Sequence, residues 1–174
     1  MIKRILVLIC ILPCIFLAAC GNAESQQYLS ISGAGISGEV SFTVDELKSL
    51  PGTFEGEFFA LNNYGTKAYY RFEGIRLASL LGAALILPEA SRLRIIAGDG
   101  YECEMSITDA IREDYIDEQN PGARYPVIIA WKENGEEYDP SDGLPFRLVI
   151  GQRQAGDINK PNWVSNVAMI VVER

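Results

Sequence analysis

From residue 28 the chain alternates apolar and polar positions in short runs. Tyr28-Leu29-Ser30-Ile31-Ser32 reads as a strand, and Glu39-Val40-Ser41-Phe42 as a second one after a glycine-rich turn. The pattern then changes period. Thr43-Val44-Asp45-Glu46 has the form of a capping box, predicting a helix to about Leu50 that Pro51-Gly52 stops. Strands follow at Thr53–Phe59 and Lys67–Phe72, joined by a turn at Asn62-Asn63-Tyr64-Gly65. Leu77–Leu85 is expected as a short apolar helix. Arg92–Ala97 reads as a strand, Asp99-Gly100 as a tight turn, and Tyr101–Ile107 as the returning strand. A helix capped by Ser106 or Thr108 is expected through Ile116. Pro126–Trp131 is a buried-type strand before the hairpin signal Asn134-Gly135, and Phe146–Ile150 and Val167–Val172 are the last strands. Many short strands, few short helices and no internal repeat predict one α+β domain over 28–174 with mixed sheets.

The first residues belong to a different pattern. Lys3 and Arg4 precede an apolar run from Ile5 to Phe16, and Leu17-Ala18-Ala19-Cys20 follows. A basic start, an apolar segment and a small-residue cleavage site form an export signal. The bare pattern also suits an ordinary signal peptide with a coincidental cysteine, or an uncleaved anchor. With cysteine at the cut site, the stretch resembles a bacterial lipoprotein signal peptide. That resemblance implies a signal peptide over 1–19, lipidation of Cys20, and a tether over 20–27. It places the domain on the extracytoplasmic face of the cell membrane, held there by the lipid. Two acyl chains anchor stably where one is marginal.

Charge and residue counts narrow the chemistry. The chain carries a net charge of −8 with no basic cluster. It should repel phosphate backbones, so nucleic acid is not an expected partner. Of four cysteines, Cys10 and Cys14 lie in the signal and Cys20 at its end, which leaves Cys103 for the domain and excludes an internal disulfide there. The sequence has no histidine. Ser-His-Asp and Cys-His catalysis and histidine-ligated zinc or haem are therefore excluded.

Four segments, in order, carry a family resemblance. They are Phe42-Thr43-Val44-Asp45-Glu46-Leu47-Lys48-Ser49-Leu50-Pro51; Phe72-Glu73-Gly74-Ile75-Arg76-Leu77-Ala78-Ser79-Leu80-Leu81; Asp99-Gly100-Tyr101; and Asp142-Gly143-Leu144-Pro145-Phe146-Arg147-Leu148-Val149 with Trp163-Val164. Over roughly 40–172 the chain resembles the molybdopterin-binding domain of the sulfite oxidase superfamily. The resemblance implies that fold and, in catalytic members, a molybdenum held by a cysteine thiolate ahead of the Gly-x-x-Leu helix. Here that stretch, Phe59 to Thr66, contains no cysteine, and Asn162 stands where the family places a lysine before the tryptophan. An amide does not replace a soft thiolate at such a metal.

These departures favour a non-catalytic domain that binds a small anionic ligand or a protein partner, with no cofactor as the leading expectation. A molybdopterin-dependent oxidoreductase that holds the cofactor through main-chain donors, Arg147 and Arg153 is the alternative. A purely structural accessory subunit is a third possibility. Candidate pocket residues are Asn62, Asn63, Tyr64, Arg71, Arg147, Arg153 and Lys160, the last two in a polar stretch over 151–163. Plainer readings stand beside these. Arg147 suits a strand residue pointing to solvent or pairing with an acid, and Cys103 a small core residue. The groups Asp99, Glu102, Glu104 and Asp114, Asp117, Glu118 read as a solvated acidic face.

Overall fold

The computed structural model describes residues 27–174. The signal peptide, Cys20 and the tether up to residue 26 lie outside the described residues. Gln27, the last tether residue, is fixed to the domain, its side-chain amide donating to the Pro140 carbonyl at 3.0 Å.

Two five-stranded groups and a small hairpin make the scaffold. The first sheet has the order β2 (Val40–Phe42), β1 (Leu29–Ser32), β12 (Val167–Glu173), β5 (Arg92–Ala97), β6 (Glu102–Ser106). β1 and β12 are parallel and the other pairs antiparallel, so this sheet is mixed. In the second, β9 (Ile128–Glu133) lies against β4 (Lys67–Arg76), which pairs with β3 (Thr53–Leu61). β10 (Glu136–Glu137) and β11 (Arg147–Val149) share the other edge of β9. A two-stranded ribbon joins β7 (Tyr115–Asp117) to β8 (Asn120–Tyr125). The core is one cluster drawn from both sheets. Leu29, Ile31, Leu93, Ile95, Ile170 and Val172 meet Phe58, Phe72, Ile75, Ile129 and Leu148. Burial of this kind is worth roughly 1.5–3 kcal/mol per large apolar side chain.

Local chemistry explains the helices. α1 (Val44–Ser49) opens on the expected capping box. The Thr43 hydroxyl oxygen accepts from the Glu46 N–H at 3.2 Å, and the Glu46 carboxylate accepts from the Thr43 N–H at 2.8 Å. That Thr43 N–H and hydroxyl hold Glu46 below the usual carboxylate range. α2 (Leu77–Ala83) buries Leu77, Leu80 and Leu81. Gly74 is not part of a turn into this helix, as its sequence suggests. It lies inside β4 at a register shift, where a Cβ would sit 2.3 Å from the Ile129 carbonyl oxygen. α3 is the main departure. Ser106 caps it, but it covers only Ile107–Ala110 and does not reach Ile116. Ile111 is exposed, so a second turn would bury no apolar face, and Tyr115 is taken instead into β7 opposite Tyr125. The ribbon strand β8 has the turn-like sequence Asn120-Pro121-Gly122-Ala123-Arg124-Tyr125, which masks it as a strand.

Candidate functional site

The site grows from one loop and the strand it covers. After β11 the chain leaves the sheet and runs from Gly151 to Trp163 over the end of β3. Asn159, 0% exposed, fastens it. Its side-chain amide donates to the carbonyls of Phe59 at 2.8 Å and Ile150 at 3.0 Å, and its side-chain oxygen accepts from the Leu61 N–H at 2.9 Å. One side chain thus satisfies three buried main-chain groups that would otherwise be costly. The Trp163 indole N–H donates to the same Ile150 carbonyl at 2.8 Å. Its ring packs edge-on against Phe72 and Tyr70 at 5.2 and 5.7 Å between centroids. The Tyr101 hydroxyl, from the Asp99–Tyr101 turn, donates to the Pro161 carbonyl at 3.0 Å, so two of the family-like segments meet here.

This packing fixes Lys160. Its ammonium lies 4.0 Å from the centre of the Trp163 ring and 4.4 Å from that of Tyr70, and no carboxylate pairs with it among the described residues. Burial first, and then the nearby Arg147 charge, push Lys160 down to about 8, with Glu133 pulling the other way. The aromatic faces offset part of the desolvation cost, typically by about 0.5–2 kcal/mol. Arg147 is held differently. It pairs with Glu133, donates from two nitrogens to the Ser165 hydroxyl at 3.0 and 2.7 Å, and stacks over Tyr138 at 5.5 Å. The Tyr138 hydroxyl donates to the same Glu133 carboxylate at 3.0 Å, and burial raises its pKa. Arg147 is therefore the strand arginine paired with an acid.

The remaining candidates separate. Arg71 projects from β4 on the face opposite Tyr70 and Phe72. There it bonds Glu55 at 2.9 Å. Asn62 spends its side-chain oxygen on the hairpin turn, accepting from the Tyr64 and Thr66 N–H groups at 2.9 Å each. Asn63 is exposed beside it, and Tyr64 is 94% exposed at the tip. Arg153 is bound to Asp157, which accepts from its N–H at 2.9 Å and its guanidinium at 3.3 Å. Of the seven, the structure brings together Arg147 and Lys160.

Tyr70, Glu133, Tyr138, Asn159 and Ser165 complete this neighbourhood and carry no signal in the sequence. Trp163 does, through the motif that contains it.

The acidic groups divide: Asp99, Glu102, Glu104 and Asp114 are exposed, as a solvated face requires, whereas Asp117 is buried and Glu118 half-buried. Glu102 and Glu104 pair with Arg94 and Arg92 at 3.4 Å each. Asp117 is 2% exposed and accepts the Tyr69 hydroxyl at 3.0 Å. Burial, followed by that bond, pushes Tyr69 up to about 12. Glu118 accepts from Lys67 at 2.8 Å, the Gly156 N–H at 2.7 Å and Gln152 at 3.2 Å. Lys67 first, then Gly156, holds Glu118 at about 2. Cys103, the cysteine available within the domain, lies in β6 opposite Ile95 of β5 and packs against the core. Burial, and then Glu104, raise its thiol pKa, which disfavours a thiolate.

With this geometry in hand, comparison with known proteins is decisive for family. The sequence profile of the oxidoreductase molybdopterin binding domain matches residues 21–173. The chain belongs to that family. Among solved structures, the molybdopterin-binding fold is shared with the sulfane dehydrogenase SoxCD from Paracoccus pantotrophus, with a TM-score of 0.63 and 18% sequence identity. The match covers 84% of this chain and 38% of that one, so the likeness is one of sulfite-oxidase-like fold. No curated protein matches the sequence.

Proposed function

We propose that this member of the molybdopterin-binding family is a lipid-anchored, extracytoplasmic binding domain. It takes up a small anion at the Lys160 ammonium and does not run molybdenum redox chemistry. The observation that carries the reading is the state of Lys160. It is a half-buried cation on two aromatic rings, beside a second cation and without a carboxylate of its own among the described residues. A small anion at that position would gain from low local dielectric and return the ammonium to a favourable state.

Support for the negative half comes from the donor set. Residues 59–66 supply main-chain groups and amides but no sulfur, and Cys103 is a half-buried residue of β6, packed against the core, with a raised pKa. These side chains do not fit a thiolate-held molybdenum centre. Arg147 and Arg153, the residues that would hold an anionic cofactor without one, are engaged by Glu133 and Asp157. Membrane attachment rests on the Lys3–Cys20 pattern.

Titration of the full chain with inorganic phosphate tests the anion site, with the Lys160 pKa followed by NMR at its terminal carbon. A bound anion should raise that pKa from about 8 toward the ordinary value of 10.5. A Lys160 pKa that ignores phosphate, sulfate and sulfite alike would sink the proposal.

A further inference from the structure

The described lysines differ in what holds their ammonium. Lys48 pairs with Glu137 at 2.6 Å, Lys67 with Glu118 at 2.8 Å and Lys132 with Glu73 at 3.2 Å. A carboxylate partner favours the protonated form of a lysine. Lys160 has no such partner among the described residues. Its nitrogen lies over the rings of Trp163 and Tyr70 instead, 4.0 and 4.4 Å from their centres. Aromatic faces hold an ammonium more weakly than a carboxylate does.

Two features of this geometry make the nitrogen a nucleophile. The ring packing strips water from it, and the Arg147 guanidinium sets a like charge nearby. Desolvation first, and then Arg147, bring Lys160 down to about 8, with Glu133 opposing them. Desolvation in an apolar setting and a neighbouring cation are the two conditions that activate a lysine amine toward carbonyl compounds. Lys160 is half-buried and not sealed, so a small molecule reaches it. Near pH 8 its ammonium and its amine coexist, so the same group can attract an anion and then attack it.

We propose that Lys160, on its platform of Trp163 and Tyr70, forms a reversible imine with a small anion of the 2-oxo-acid class. This rests on the reading of Lys160 as the anion site and names the anion that the site takes. The ammonium form draws in the carboxylate, and the amine form adds to the adjacent carbonyl carbon. The nitrogen lone pair makes the C–N bond while the C=O π pair passes to oxygen. Both amine protons then leave with that oxygen as one water, and a C=N bond remains. The step needs no oxidant or reductant, and added water reverses it.

Sodium cyanoborohydride reduces an imine to a stable secondary amine and so records where it formed. The full chain in detergent micelles is treated with glyoxylate and this reductant at the Lys160 pKa of about 8, and the labelled positions are read by peptide mass spectrometry. Lys160 should be carboxymethylated more than about tenfold faster than Lys48, Lys67 or Lys132. Lys48 and Lys67 are exposed, so access alone would favour them. Acetaldehyde, which lacks the carboxylate, should prefer Lys160 over Lys132 about fivefold less than glyoxylate does, as one charge pair in water implies. Lys160 labelled no faster than Lys132, or the same preference with both aldehydes, overturns the proposal. If phosphate raises the Lys160 pKa while glyoxylate shows no preference, the anion site stands and the imine falls. If phosphate leaves that pKa in place and both aldehydes show the same preference, both readings fall.

Discussion

The two ends of the loop over 151–163 hold their cations in opposite ways. At the first end Arg153 is tied to Asp157, and Glu118 gathers Lys67, Gln152 and the Gly156 N–H. Every charge there is answered from within the chain. At the second end Lys160 rests on Trp163 and Tyr70 with no carboxylate partner among the described residues. Both ends are polar and both carry a cation, yet only the second is proposed to take up an anion. What separates them is the partner that the fold delivers to each, not residue type.

The largest effect should come from breaking the clamp that serves both ends. Asn159→Ala leaves the carbonyls of Phe59 and Ile150 and the Leu61 N–H without this partner. A loss of about 3 kcal/mol is expected in chemical denaturation, together with loss of phosphate binding. Lys160→Met should separate stability from function. Phosphate affinity should fall by more than about tenfold, while stability at neutral pH holds or rises, because a half-buried charge is replaced by an apolar chain of similar length.

Both ends should gain stability as pH rises, but in separate pH windows. The Lys160 pKa is lowered to about 8 from 10.5. Between those values the unfolded state binds the proton that the folded state has lost, so this group adds stability as pH rises from about 8 to 10.5. Phosphate affinity should fall through about pH 8 as the ammonium is lost. Glu118, lowered from 4.5 to about 2, contributes stability above pH 4.5 that disappears as pH falls toward 2. In E118Q that acid-side slope should flatten, as measured by denaturation at a series of pH values. The smallest effect belongs to Arg153→Gln. An exposed ion pair is worth about 0–1 kcal/mol, and phosphate affinity should stay within about twofold of wild type. A tenfold loss there would erase the contrast between the two ends.

Much of the scaffold is legible in the sequence because it is set locally. The capping box at Thr43, the Asn134-Gly135 hairpin and the Asp99-Gly100 turn each depend on a few adjacent residues. α3 is overrun because its end depends on a distant demand, the pairing of Tyr115 with Tyr125. The site follows the same division. Lys160 stands out as a cation in a polar stretch, but Tyr70 beneath it is ninety residues away, and nothing at Glu133 marks it as the partner of Arg147. Arg71 is grouped with Lys160 by charge and separated from it by strand alternation, which places it with Glu55 on the other face of β4. Asn62 looks like a pocket amide and is a turn amide.

The central claim is that this family fold serves here as an anion-binding domain without a thiolate-held molybdenum. The most direct measurement is the molybdenum and pterin content of the full chain, purified from a host that makes the cofactor. The account predicts neither in stoichiometric amount. One molybdenum per chain, retained through purification, would contradict it.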